Sequence, residues 1–370
     1  MSTTASIASA PLTEWRTLVL KEVQAGRRLA GLFGTAVGEQ VRITAALADT
    51  AADAADGIRL LDTMLPSWQR DYPALTPDTA AAFWYERELH DLFGIEPTGH
   101  PRLDPLVLPL PDTASRPRPG SPVQPGTLHP TEEAVGRHVL GPGMFTIPHG
   151  PVRSGVFESV EYLIETPGED IPFPQIRVYH KHRGIEKRFE ELSIQDGVLL
   201  AERVEGIASV AHAVAFCHAV EDLAGVEVPR AASLVRVVHA ELERVANHLD
   251  VALRLAEAAG LAVAISRLGW HKERVLRLVS RCCGNRFGRG VVVPGGVSDL
   301  PRVAAAELTG DLRRLERDIT SDEHALMGTA SFLDRLRGTG PLSPELADTH
   351  GALGPIGRAS GRAEDIRDVD

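Results

Sequence analysis

Cysteine is scarce in this chain: three in 370 residues, at positions 217, 282 and 283. No CxxC occurs, and the adjacent pair Cys282–Cys283 makes a poor metal clamp. An iron–sulfur cluster as a rule takes four thiolates, so the chain does not supply one by itself. All three cysteines read as small, buried apolar residues. Positive charge is also short: Lys and Arg number 39 against 50 Asp and Glu, a net charge of −11. That balance argues against general nucleic-acid binding, which needs a basic footprint. Aromatic residues are only 5%. With Ala and Gly plentiful, helices are expected to approach one another closely. No charge-free apolar run reaches about 18 residues, so no transmembrane helix is expected. The opening MSTTASIASAPLTEW lacks the basic start and apolar run of a signal peptide. A cytosolic location follows, with docking on a membrane complex left open. There is no HExxH and no repeat of fixed period.

What is present suffices for a large core. Apolar residues make up 43% and charged residues 24%, an ordinary globular balance, and the length suits two domains. Residues 12–105 read as a small α/β domain. LTEWRTLVLKEVQAG starts with a helical pattern; QVRITAALAD and GIRLLDTML read as strands by alternation and β-branching. TPDTAAAFWYERELHDL (76–92) reads as a helix, with Thr76 and Asp78 as capping oxygens, Pro77 at the first turn and Gly94 past its end. A proline-dense stretch follows, and 106–142 is taken as a linker. From 143 to 370 a strand pair (151–165 and 172–184) precedes long helices at 184–192, 196–224, 230–258, 262–284 and 302–336. FGRGVVVPGGVSDLP (287–301) interrupts them as a short strand and tight turn. The fold class expected is α+β.

Several helices carry charge into apolar surroundings. If 196–224 is one helix, Glu205, Ser209 and His212 share a face. That stripe is either a polar site or a set of partners for a basic loop such as HKHRGIEK, because buried carboxylates need partners. On 230–258, His239, Glu243 and Asn247 form one row, and Glu241, Arg244 and His248 another. Helix–helix hydrogen bonds explain both rows better than a metal does. On 262–284, Arg267, His271, Arg274 and Arg281 make a basic stripe. It is either a solvated face or a docking surface for an acidic partner or lipid head groups.

FWYERELHDLFGIEPTGHPRL (83–103) resembles the signature WxERExxDxFGIxxxGHP of the small hydrophilic, C-type component of respiratory complex I. From Gly150 onward the chain resembles the D-type component of complex I and the large subunit of energy-converting nickel–iron hydrogenases of the formate hydrogenlyase or hydrogenase-4 type. The segments that carry this are GPVRSGVFES (150–159), HRGIEK (182–187), ERVEGIASVAHAVAFCHAVE (202–221), RVVHAELERVANHL (236–249), PGGV (294–297) and GPIGRASG (354–361). The resemblance implies a fused C/D polypeptide with a hydrogenase-large-subunit-like helix bundle. In the hydrogenases a first cysteine pair binds nickel and iron; the matching positions here are Glu205 and Ala208. The second pair lies beyond the point where this sequence ends, so a C-terminally short chain without its own metal centre is expected.

By the same resemblance, Glu158 and His212 are candidates for proton transfer. His149, Arg153, His182 and Arg203 are candidates for a quinone-type cavity, since a quinone wants hydrogen-bond donors and a proton source. The expected role is that of a subunit, inactive alone, on the cytoplasmic side of a membrane, in a complex I-like or hydrogenase-like oxidoreductase. An iron–sulfur small subunit and membrane subunits are its expected partners. Two alternatives stay open: a working nickel–iron hydrogenase large subunit, and a structural, assembly or remnant polypeptide.

Overall fold

The computed structural model describes residues 6–49, 57–110, 115–120, 141–152, 159–363 and 365. The fold mixes α and β. It divides into two compact units, one formed by residues 3–182 with 341–370 and the other by 183–340. The unit boundary thus falls after His182, and the strand pair that the sequence groups with the helices belongs to the first unit.

In the first unit, β1 (Ser6–Ser9), α1 (Leu12–Gln24), β2 (Arg28–Val37), β3 (Gln40–Ala48) and β4 (Ile58–Leu65) build a four-stranded sheet in the order β1-β4-β3-β2. Only β1–β4 is parallel; the other pairs are antiparallel. The alternation in β3 and β4 points Val41, Ile43, Ala45, Leu47, Leu61 and Leu65 into the core against α1. Trp15 of α1 is fully buried there, and its indole N–H donates to Leu61 O at 2.8 Å.

Strand β2, which is not among the strands read from the sequence, carries Gly31 and Gly34. The structure gives Gly34 a purpose. A β-carbon there would lie 2.7 Å from Phe93 Cε2 and 2.9 Å from Leu89 Cδ2, so the strand must be bare where α2 (Phe83–Phe93) crosses it.

Helix α2 starts later than its pattern suggests, after a 3₁₀ turn at Ala80–Ala82. Thr76 and Asp78 are engaged elsewhere: Thr76 binds Glu86, and Asp78 pairs with Arg16. The helix ends at Gly94 in the left-handed region, as expected. The motif's charged residues are internal ties. Glu86, fully buried, accepts from Tyr72 Oη (2.9 Å), Leu75 N (2.7 Å), Thr76 N (3.0 Å) and Thr76 Oγ1 (2.6 Å). Asp91 accepts from Leu106 N and Val107 N, and Arg87 donates to Asp104 O and Pro105 O. Helix α2 therefore fastens the first residues of the proline-rich stretch to the sheet unit. Short β5 (Asp71–Pro73) pairs in parallel with β6 (Glu96–Thr98). A separate antiparallel sheet is made by β7 (Phe145–His149), β8 (Glu161–Thr166) and β9 (Phe173–Arg177).

The second unit holds α3 (Ile185–Phe189), α4 (Ile194–Ala201), α5 (Ser209–Ala224), α6 (Arg230–Ala258), α7 (Ala262–Cys283), the two-residue strands β10 (Val292–Val293) and β11 (Gly296–Val297), α8 (Ala305–Met327) and α9 (Ala330–Leu336). Helices α6 and α7 form a hairpin about Gly260. Their facing Leu242, Ala246, Leu249, Leu268, Val275 and Val279 make the core, joined by Leu315 of α8. Two short helices, α10 (Pro344–Thr349) and α11 (Gly354–Ala359), return to the first unit.

One expected helix is two. The run 196–224 breaks at Glu202–Ala208, so Glu205, Ser209 and His212 do not form a helical stripe. Long-range partners capture the residues at the break. Glu202, almost fully buried, accepts from Gly290 N at 2.5 Å, and Asn247 Nδ2 donates to Ile207 O at 2.8 Å.

Candidate functional site

Helix α6 presents His239, Glu243, Asn247 and Asp250 at spacings of four, four and three residues, which keeps all four on one face. Together with Gly206, Ile207 and Val210, with Lys272 and Glu273 of α7, and with Arg286 and Phe287, this face lines a cavity of about 360 Å³. The walls are largely apolar; the row of four supplies polar atoms along its length.

Each member of the row has a defined setting. His239 is 1% exposed. Its Nδ1 lies 3.0 Å from Val235 O, an acceptor, so Nδ1 carries the proton. Its Nε2 has no partner among the described residues. Glu243 takes Val210 N at 2.7 Å and Ala211 N at 3.0 Å. It thereby caps α5, whose own N-cap residue, Ala208, has no side-chain oxygen to offer. Burial pushes the Glu243 carboxyl up from the ordinary carboxylate range, against the two backbone N–H groups, which pull it down. Asn247 Nδ2 also donates to Glu243 O at 2.9 Å. Asp250 is 3% exposed; Oδ1 accepts from Lys272 Nζ at 2.5 Å, and Oδ2 has no partner among the described residues.

Of the residues read in sequence as candidates for proton transfer or a quinone-type cavity, the four that are described, His149, His182, Arg203 and His212, do not line this cavity. His212, half-buried, and Arg203, exposed, belong to the second unit and do not line it. Arg203 donates to Leu199 O and lies 3.7 Å from Glu202. His149 ends β7 in the first unit, exposed, its ring 6.5 Å from that of Tyr162. His182 follows a 3₁₀ turn in the same unit, its N–H on Tyr179 O at 3.1 Å. Arg153 and Glu158 lie outside the described residues.

The row His239–Glu243–Asn247 is visible in sequence, where it reads as helix–helix hydrogen bonding. That is half of its role: Glu243 and Asn247 do tie α6 to the segment before α5. Asp250 and Lys272 do not stand out in sequence, although Asp250 merely continues the row by three residues. The basic stripe on α7 is paired within the chain, with Arg267 and Arg281 still about half exposed. Arg267 and His271 bind Asp322, Arg274 binds Asp318, and Arg281 binds Glu307 and Asp311, all on α8.

A nickel–iron centre does not fit the residues that would hold it. Glu205 offers a hard carboxylate, already accepting from Gly206 N at 3.0 Å, and Ala208 offers no donor atom. Burial pushes the Cys217 thiol up to about 11 and raises Cys282 and Cys283 as well, away from the thiolate form that metals take. In the cavity Lys272 pairs with Asp250 and Arg286 with Glu273, and the unpartnered His239 Nε2 and Asp250 Oδ2 are acceptors.

Residues 17–123 match the family of the respiratory-chain NADH dehydrogenase 30 Kd subunit, and residues 262–370 that of the 49 Kd subunit. The fused C/D component of the NADH-quinone oxidoreductase of Gluconacetobacter diazotrophicus is 30% identical over 337 residues, covering 85% of this chain and 55% of that protein. The chain is a fused, C/D-like polypeptide. Formate hydrogenlyase subunit 5 of Escherichia coli is similar as well, 30% identical over 305 residues, 80% of this chain and 54% of that protein. The C/D-like chain thus spans about half the length of the curated relatives it matches. Among solved structures, a chain of the membrane-bound sulfane sulfur reductase, an archaeal respiratory membrane complex, shares the fold with a TM-score of 0.56 at 23% identity, over 61% of each chain.

Proposed function

We propose that this C/D-like chain is a peripheral subunit of a membrane-associated, complex I-like or hydrogenase-like oxidoreductase, on the cytoplasmic side. It takes part in electron transfer through carriers that other subunits hold. An iron–sulfur small subunit and membrane subunits are the partners, and the chain is inactive alone. One observation carries this reading. The segment that matches the hydrogenase metal loop is pinned by Glu202, Glu243 and Asn247, yet it presents a carboxylate and a methyl group where thiolates would grip metal. The scaffold supports a subunit role, and the donor set speaks against a metal centre on these residues. For that reason a nickel–iron hydrogenase role is the weaker reading.

No helix among the described residues is long and apolar enough to cross a membrane, so attachment to one runs through partner chains in this proposal. The test is affinity purification of the tagged full chain from its native host in mild detergent, followed by identification of what comes with it. An iron–sulfur subunit and integral membrane subunits in fixed ratio are expected. Recovery of the chain alone, or with unrelated proteins, would remove the basis of this reading.

A further inference from the structure

We propose that the outer face of α6 is an interface at which the chain pairs with a second copy of itself, the two α6 helices lying antiparallel in one fixed register. The inference does not rest on the subunit reading above.

The second row read on α6, Glu241–Arg244–His248, is the middle of a longer stripe. Leu234 and Val237 precede it, and Val251 and Leu255 follow it. From Leu234 to Leu255 the spacing alternates between three and four residues, which is the seam of a heptad pattern. The stripe lies on the side of α6 opposite Leu242, Ala246 and Leu249, which face the core. Its apolar members are open to solvent: Leu234 is 57% exposed, Val237 and Val251 56%, and Leu255 41%. None of these four joins a core among the described residues. A helix on the surface of a globular protein turns polar residues outward. Here branched apolar side chains stand outward at both ends of a stripe about 32 Å long, and charged ones occupy its middle.

Such a seam is covered by packing against another helix. The charges decide which helix fits. In an antiparallel pair, each first seam position of a heptad packs against the second seam position of the other helix. Setting Glu241 against Arg244 of the second copy sets Arg244 against Glu241 of the second copy by symmetry, so two opposite-charge pairs meet at the centre. The same register sets Leu234 against Val251 and Val237 against His248, each twice. Leu255 falls against Arg230, whose aliphatic stem covers apolar surface. Within one chain Arg244 Nε donates to Glu241 Oε1 at 3.1 Å, and both side chains are partly exposed. Two such pairs brought together form a network of four charges. A slip of one heptad in either direction sets Glu241 against Val251 or Val237 and leaves its charge unmatched. A parallel pair in register sets Glu241 on Glu241 and Arg244 on Arg244, like against like, which is repulsive. The stripe is thus complementary to itself in one orientation and one register, the isologous geometry of a two-fold dimer. Polar residues within a seam specify register in this way at some cost in stability.

Sedimentation equilibrium on the purified full chain should show a monomer–dimer equilibrium. Val251→Glu, at an exposed position, should weaken it by about tenfold or more. Glu241→Arg and Arg244→Glu should each do the same, because each sets like charges against one another. Mixed together, the Glu241→Arg chain and the Arg244→Glu chain are complementary and should pair, a recovery that misfolding of either variant cannot imitate. Glu316→Arg, exposed on α8, should leave the equilibrium as it is. A chain that is monomeric at about 100 μM, a dimer indifferent to all three stripe substitutions, or a mixture that fails to pair overturns the proposal. In the purified assembly, a photo-crosslinking amino acid in place of His248 should link two copies of the chain. Links only to a different chain mean that another partner covers this face, and they overturn the proposal as well.

Discussion

Glu221 and Arg236 show how single residues hold this fold. Arg236 grips Glu221 with two parallel bonds, 2.9 and 2.6 Å, and donates as well to Gly296 O and Val293 O; Gly295 N donates to Glu221. Three elements, α5, α6 and the β10–β11 hairpin, meet at this pair. Removing the guanidinium strands a buried carboxylate, so Arg236→Ala should cost about 3–5 kcal/mol in urea melts. Burial alone would raise the Glu221 carboxyl, but the bonds from Arg236 and Gly295 outweigh it and hold it below its ordinary value. The pair's contribution is therefore present above the ordinary carboxylate range and is lost as pH falls through the folded-state value. Glu243 has the opposite sign: its raised carboxyl favours the folded state at low pH, and that advantage goes as pH rises through its folded-state value. Stability–pH profiles of Arg236→Ala and Glu243→Gln should each lose one of these two slopes. A profile unchanged in either variant would contradict the assignment. In the first unit Glu86 plays the comparable part, and Glu86→Ala should cost about 3 kcal/mol or more, because it leaves Tyr72 Oη and two backbone N–H groups unpaired.

At the scale of elements, local signals and long-range capture divide the chain. Helices α6 and α7 are legible in sequence almost to the residue. Their apolar spacing is strong, Pro229 sits at one start, and Gly284 closes α7 in the left-handed region. The break between α4 and α5 is not legible, because Gly290, Glu243 and Asn247, which impose it, lie dozens of residues away. Strand β2 is not read from the sequence, and the role of its Gly34, which admits Leu89 and Phe93, depends on the packing of α2. Gly34→Val should therefore overpack the α2–β2 contact and cost about 1–3 kcal/mol, read as a lowered melting temperature. The basic stripe of α7 cannot be assigned in sequence because its acidic counterpart on α8 is 26 to 55 residues distant. Fully buried His271, bonded to Asp322 at 2.6 Å, anchors that ladder, while Arg281 sits at its wet end. His271→Ala should lower the melting temperature more than Arg281→Ala, and only the loss from Arg281→Ala should vanish in high salt.

For the whole molecule, composition settles little beyond class, and motifs settle the relationship. The C-type part is readable from a motif whose Glu86, Arg87 and Asp91 make buried internal ties. The candidate site is half readable: its row lies in plain view on α6, while its depth and its unpaired atoms need three-dimensional neighbours. The segment around Glu205 and Ala208 resembles a hydrogenase metal loop but offers a carboxylate and a methyl group where thiolates would hold nickel and iron. Metal analysis of the purified full chain, with electron paramagnetic resonance on the same sample, tests it most directly. Nickel and iron well below one atom per chain, with no bimetallic signal, is the result expected. One nickel and one iron per chain, with a signal that Glu205→Ala abolishes, would contradict it.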